Sequence, residues 1–336
     1  MNYGLPYKGS KNKLAPKIFE LFPKRKNFYD LFCGGCAMTH FGMLNNRFEN
    51  FIINDLNPMC PTLFFDAVNG KFKNETRWIS REDFLNSNEP YVKFVWSFGN
   101  NLRSYLYGKE IEPYKKACHY AIVFDDFSLI KELCPEVYDV TKEALDGIKN
   151  IKKRRLAFGP SVIKELKRLG DWSVVENNPL YKSAHRRGGK IAAEPMSVDL
   201  RSLESLESLE RLQSLERLQR LERLSIYHKS CDEVRILPDS VIYCDISYRG
   251  TDEYISGQFD YEKFYAWCEK QKELVVISEY DMPEDRFCCV ESVQKRSLLS
   301  AKGAGELKTE KLFVPKHQIE MWLRLKGKYF NSFENQ

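Results

Sequence analysis

The chain has 336 residues, 43% of them hydrophobic and 29% charged, with a net charge of +5. That balance excludes a disordered or fibrous protein and predicts one large or two modest globular domains. No run of about eighteen apolar residues is present, which excludes a helical membrane span; the start, MNYGLPYKGSKNK, lacks an apolar signal core, so a cytoplasmic location is expected.

In chain order, the first segment is basic, with Lys8, Lys11, Lys13, Lys17, Lys24, Arg25 and Lys26 against Glu20. Residues 28–32 (FYDLF) predict a short buried strand, CGGC a tight turn, and AMTHFGML a helix. FIIND (51–55) predicts a second strand that ends on an acid, with Leu56-Asn57-Pro58 turning behind it. Strand, glycine turn, helix and strand open a doubly wound α/β sheet. Residues 61–199 differ in character: aromatic, basic and broken by FGNN (98–101) and HRRGGK (185–190). From Lys149 to Lys190, twelve Lys/Arg face three Asp/Glu, a local +9 that leaves −4 for the remainder. Such concentration is the footprint of a polyanion partner.

Residues 200–224 repeat leucine every third position, from Leu200 to Leu224. Composition favours helix, but three residues turn an α-helix by about 300°, so the leucines drift by about 60° a step around the axis. A repeat-expanded helix or spacer is expected, with no chemistry of its own. VIYCD (241–245) and ELVVISEY (273–280) predict two more buried strands around the helical FDYEKFYAWCEKQ (259–271), and the tail 287–314 predicts a hairpin. The expected organisation is a sheet-bearing unit of residues 1–60 and 200–336, a second unit of 61–199 inserted into it, and the leucine-rich segment 200–224.

Ten cysteines include the pairs Cys33/Cys36 and Cys288/Cys289. One C-x-x-C pair without a second is not a zinc framework, and the histidines (40, 119, 185, 228 and 317) add no ligand spacing, so structural thiols and no metal are expected. His40 is expected to be packed within the first helix.

Three constellations carry chemistry. Asp30-Leu31-Phe32-Cys33-Gly34-Gly35, followed by Asp55 at the next strand end, suits a nucleoside-type cofactor: the glycines let a ligand approach the backbone, and the acid can hold ribose hydroxyls. Tyr7-Lys8-Gly9-Ser10-Lys11 precedes the first strand, and Asp245-Ile246-Ser247-Tyr248 ends a later one. A nicotinamide oxidoreductase would share the opening, but the absent GxGxxG argues against it.

The order PYKGSK, DLFCGG, NDLNP, a long middle region and a strand ending D-x-x-Y resembles the Dam-like class of S-adenosylmethionine-dependent DNA adenine-N6 methyltransferases. WSFGNN (96–101) and YRGT (248–251) are similar to segments of its phage-like members. The resemblance implies a doubly wound methyltransferase-type sheet in a catalytic domain of residues 1–60 and 200–336, an inserted, mainly helical target-recognition domain of 61–199, S-adenosylmethionine as cofactor and double-stranded DNA as partner. Asp30, Phe32, Gly34 and Gly35 would border the methionine end of the cofactor, Asp55 would take the ribose hydroxyls, and Tyr7, Gly9 and Lys11 would close over it. Asp245, Ile246, Ser247 and Tyr248 would form the catalytic tetrapeptide. The class has Asp-Pro-Pro-Tyr there; with Ile-Ser the chain loses two proline restraints, so an active but weakened enzyme is expected, with a catalytically impaired DNA-binding relative as the alternative. DNA readers are sought in Asn100, Asn101 and Arg103 and in Arg186-Arg187, because Arg reads guanine edges and Asn adenine.

Overall fold

The computed structural model describes residues 3–6, 10–45, 47–169, 203–220, 223–246, 259–296 and 307–330. The chain divides into two compact units, Met1–Gly70 with Leu215–Gln336, and Lys71–Ser214. The cuts thus fall at 70/71 and 214/215, where the change in composition had suggested 60/61 and 199/200.

The first unit holds a seven-stranded sheet. Its strands are β1 (Asn27–Asp30), β2 (Asn50–Asn54), β3 (Leu224–Tyr227), β4 (Ser240–Cys244), β5 (Leu274–Glu279), β6 (Phe287–Arg296) and β7 (Leu307–Pro315). They lie in the order β3-β2-β1-β4-β5-β7-β6. The first five are mutually parallel. β7 runs antiparallel between β5 and β6, the predicted terminal hairpin. This is a doubly wound, methyltransferase-type α/β sheet. Every residue of β1, β4 and β5 is buried, which is why these strands read as unbroken apolar runs.

The helices of this unit are α1 (Ala15–Glu20), α2 (Ala37–Leu44), α3 (Met59–Val68), α4 (Tyr261–Glu269) and α5 (Ile319–Phe330). Alternation along the strands sends side chains to two cores. Phe28 and Tyr243 face Phe19 and Phe22 of the α1 region, and Phe19 reaches Phe41 of α2. Tyr29, Ile242, Cys244, Val275 and Ile277 face the opposite way, onto Phe264, Tyr265 and Cys268 of α4. Helices therefore cover both faces, and the chain changes direction across the sheet between β1 and β4, where such folds open a ligand crevice at the carboxyl ends of their strands.

The second unit is mainly helical; its longest described helix is Ile151–Leu169. Its core is aromatic: Trp78 stacks on Tyr107 at 5.8 Å, and Trp96 meets Trp78 edge-on at 5.0 Å.

The leucine repeat is divided between the units. Glu204–Ser214 is α-helical, and Leu215–Arg220 is a 3₁₀ helix. Leu203, Leu206, Leu209, Leu212, Leu215 and Leu218 are all buried. From Leu203 to Leu212 the drift spans about 180° of the α-helix. At Leu215 the helix tightens to about three residues per turn, which stacks further leucines on one face. A period of three that suits neither form over its whole length is thus served by both in succession. Leu218→Ala should lower stability by about 2–5 kcal/mol, whereas the exposed neighbour Arg217→Ala should change it by no more than about 0.5 kcal/mol; urea unfolding of both variants checks the contrast.

Candidate active site

Asp30 ends β1, and Asp55 and Asp245 each stand one residue beyond β2 and β4. Because β1 lies between β2 and β4, the parallel register brings all three carboxyls to one edge. Asp30 is 1% exposed, and its Oδ2 accepts a 2.7 Å hydrogen bond from Thr39 Oγ1 of α2. Burial raises its pKa to about 7; the Thr39 hydroxyl opposes the shift, and the nearby Asp245 and Asp55 add to it. Burial also raises Asp55, against two backbone donors: Gly34 N–H at 2.9 Å on Oδ2 and Asn57 N–H at 3.0 Å on Oδ1.

Those bonds stitch the glycine turn to β2. Gly34 has φ +44°, and Cys36, at φ +57°, leads into α2. The turn is held from its other side by the N-terminal segment: Leu5 N–H donates to the Gly35 carbonyl at 2.7 Å, and Gly4 N–H to His40 Nδ1 at 2.8 Å. Gly4 has φ +64°, and a Cβ there would lie 2.2 Å from the Gly35 oxygen, so only glycine fits so close to the turn. His40 is packed, as expected, with the additional task of holding Gly4. Phe32 meets Phe259 and Phe264 edge-on at 5.8 and 5.6 Å.

Lys11 is 3% exposed and belongs to the same edge. Its Nζ lies 2.5 Å from Asp245 Oδ1 and 3.4 Å from Glu310 Oε1. Burial pulls its pKa down, yet Asp245, Tyr243 and Glu310 together outweigh that and hold the ammonium form. Glu310 of β7 also accepts from Ser278 Oγ at 2.7 Å. Glu279 closes β5 beside them, with Oε1 accepting from Tyr280 N–H at 2.8 Å. Its pKa rises to about 7, through burial first and then through Glu310 and Asp245. Sequence reasoning passed over both glutamates; the available signal was an acid at the end of the apolar run LVVISE and another inside the hairpin strand LKTEKLFV.

Ile246 turns its side chain into the apolar core beneath α4. Ser247 and Tyr248 lie outside the described residues, as do Tyr7, Gly9, Arg186 and Arg187. All ten cysteines are free thiols.

In the second unit, Asn100 and Asn101 shape the loop after Trp96. Asn100, at φ +56°, donates through Nδ2 to the Phe94 carbonyl at 3.0 Å, and Asn101 Oδ1 accepts from Arg103 and Ser104 N–H, both at 2.9 Å. Arg103 is exposed. The basic stretch after Lys149 is less open than its charge count suggests. Arg154 is buried against the Ala121, Ile122, Leu145 and Ile148 carbonyls and Asp125, and Arg155 is buried against Glu207 and Glu210. These two arginines are internal fasteners; Lys152, Lys153, Lys164 and Arg168 are exposed.

Residues 7–130 match the family model of the D12 class N6 adenine-specific DNA methyltransferases, in accord with the motif resemblance. No curated protein matches the chain. Among solved structures, the chain is similar to the rRNA methyltransferase aviRa from Streptomyces viridochromogenes, with 12% identity and a TM-score of 0.33 over 90% of this chain and 84% of that one.

The raised Asp30 pKa has a consequence for stability. Both folded and unfolded chains hold the proton below about pH 4, and the cost of ionising the buried group is complete above about 7. Asp30 thus subtracts stability as the pH rises through that window. Asp30→Asn should remove the subtraction: its melting temperature relative to wild type should be higher at pH 8 than at pH 4, by an amount worth a few kcal/mol, as read by thermal melts across the range.

Proposed function

We propose that the chain is a site-specific DNA methyltransferase that moves a methyl group from S-adenosylmethionine to N6 of a flipped-out adenine. The family match over residues 7–130 and the methyltransferase-type sheet support the class. The observation that carries the reading is the placement of Asp245: a carboxylate at the end of β4, clamped by Lys11 and set on the same edge as Asp30 and Asp55.

The edge suits the cofactor's charge. Asp30 and Asp55 are buried acids whose ionisation burial opposes; a cationic ligand beside them restores it. S-adenosylmethionine, when bound, supplies an electrophilic methyl on a sulfonium sulfur. In this reading Asp30, Phe32, Gly34 and Gly35 border its methionine end, Asp55 takes the ribose hydroxyls, and Tyr7, Gly9 and Lys11 close from the N-terminal side.

The chain's own task is to make N6 a nucleophile. The amine lone pair is delocalised into the adenine ring, so two acceptors aimed at its two hydrogens are needed to draw it toward a tetrahedral shape. Asp245 supplies one through its carboxylate, and the Ile246 carbonyl supplies the other; both are preset, so their dipoles cost no reorganisation during transfer. Tyr248 stacks on the flipped base, which offsets about 1–3 kcal/mol of lost stacking. Ser247 occupies the second proline position of the tetrapeptide.

DNA is held by the second unit. The exposed lysines after Lys149 contact phosphates and give a steep salt dependence. Arg103 on the loop shaped by Asn100 and Asn101, and Arg186 with Arg187, are the candidate base readers. The Ile-Ser pair favours one alternative, a catalytically impaired relative that binds DNA.

Purified protein incubated with S-adenosylmethionine and unmethylated mixed-sequence DNA should yield N6-methyladenine by nucleoside mass spectrometry. Asp245→Ala should lower the yield at least about a hundredfold, and Ser247→Pro should not reduce it. A folded wild-type protein that binds cofactor and DNA but forms no methyladenine would leave the binding-module reading.

A further inference from the structure

Glu279 is a further acid at the reaction edge, one that the motif resemblance does not assign. In register, Cys244 of β4 is level with Ile277 of β5, so Glu279, two residues further on, closes the strand next to the one that leads into the tetrapeptide. It is 4% exposed. Its Oε1 is fixed by the Tyr280 N–H, but Oε2, fully buried, has no hydrogen-bond partner among the described residues. A buried carboxyl oxygen left in that condition is costly unless a ligand or a proton completes it.

The charges around it are unbalanced. Asp245 at the end of β4, Glu310 of β7 and Glu279 itself share one edge with the Lys11 ammonium, and Lys311 is level with Glu279 on β7. Lys11 is committed to Asp245 and Glu310. Of the three acids, Glu279 is thus the one placed to gain and lose a proton without breaking an ion pair.

We propose that Glu279 is the group on which the proton released from N6 comes to rest during methyl transfer, an assignment that rests on the function proposed above. As the N6–CH3 bond forms, the CH3–S bond breaks and its electron pair stays on sulfur. N6 then carries a positive charge and sheds one of its two hydrogens as a proton toward Asp245. Asp245, clamped by Lys11, is a poor resting place for it. The Glu279 carboxylate takes up the proton and becomes a neutral acid, which later returns the proton to solvent. A group that titrates near neutrality suits this work, and burial places Glu279 there, at about 7.

The test is single-turnover methylation at saturating cofactor between about pH 5.5 and 9, with wild type and Glu279→Gln. The acceptor must be ionised, so the wild-type rate should rise with pH and level off above about 7. Glu279→Gln should be slower by about 10²–10⁴-fold and should lack that inflection, with cofactor affinity retained and a melting temperature no lower than that of wild type. An unchanged rate, or a slower rate that keeps the inflection, overturns the assignment. If the Gln variant does not fold, Glu279→Asp serves: it keeps a titrating carboxyl and should keep a displaced inflection, and a flat profile overturns the proposal. Wild type that forms no N6-methyladenine at any pH removes the parent reading, and the Glu279 assignment falls with it.

Discussion

A single buried ammonium organises this edge of the sheet. Lys11 comes from a segment before the first strand, yet it bonds to Asp245 at the end of β4 and faces Glu310 in β7. Burying a charge is expensive, and the attraction of a close partner repays the cost only when the geometry is good. Three distant parts of the chain are therefore fixed together or not at all. With Lys11 in place, Asp245 has a defined position, and the neighbouring acids sense a common positive charge.

The N-terminal segment adds a second constraint of a different kind. Gly4 lies so close to the Gly35 carbonyl that no side chain fits, and the Leu5 N–H takes that same carbonyl. From the other side, Asp55 holds the Gly34 N–H. The glycine turn is thus pinned by backbone and carboxylate bonds rather than by packing. This suits a surface that a ligand must approach closely, because rigidity comes without side chains that would fill the space.

The parallel strands were legible in the sequence because strands buried on both faces read as apolar runs, and an acid that ends such a run is conspicuous. That logic exposes Asp30, Asp55 and Asp245. It fails for β3, whose four residues Leu224–Tyr227 emerge from the leucine repeat with only partial burial. It also fails for Glu310, which lies inside a strand of the predicted hairpin rather than at the end of an apolar run, and becomes internal where β7 pairs between β5 and β6. The charge count after Lys149 overstates the exposed charge for the converse reason: Arg154 and Arg155 are as basic as their neighbours, but they are consumed by carbonyls and by Glu207 and Glu210 inside the unit. Net charge records composition, whereas a phosphate contact needs an exposed cation.

The altered tetrapeptide can be considered in the same physical terms. Proline restrains a backbone by removing rotation about φ, and Ile246 cannot do that. Ile246 is instead 2% exposed, packed in the core that includes Cys244, Phe264, Ile277 and Phe313. Burying such a side chain is worth about 1.5–3 kcal/mol, and it ties the residue's backbone to the sheet and to α4. Packing is a restraint on position where proline is a restraint on torsion. The carbonyl that the proposed reaction would use belongs to this anchored residue, and the anchor makes an Asp-Ile chain physically compatible with a preset acceptor. The restraint that proline would have placed on the torsion of the acceptor residue is thus replaced, at Ile246, by a restraint on its position.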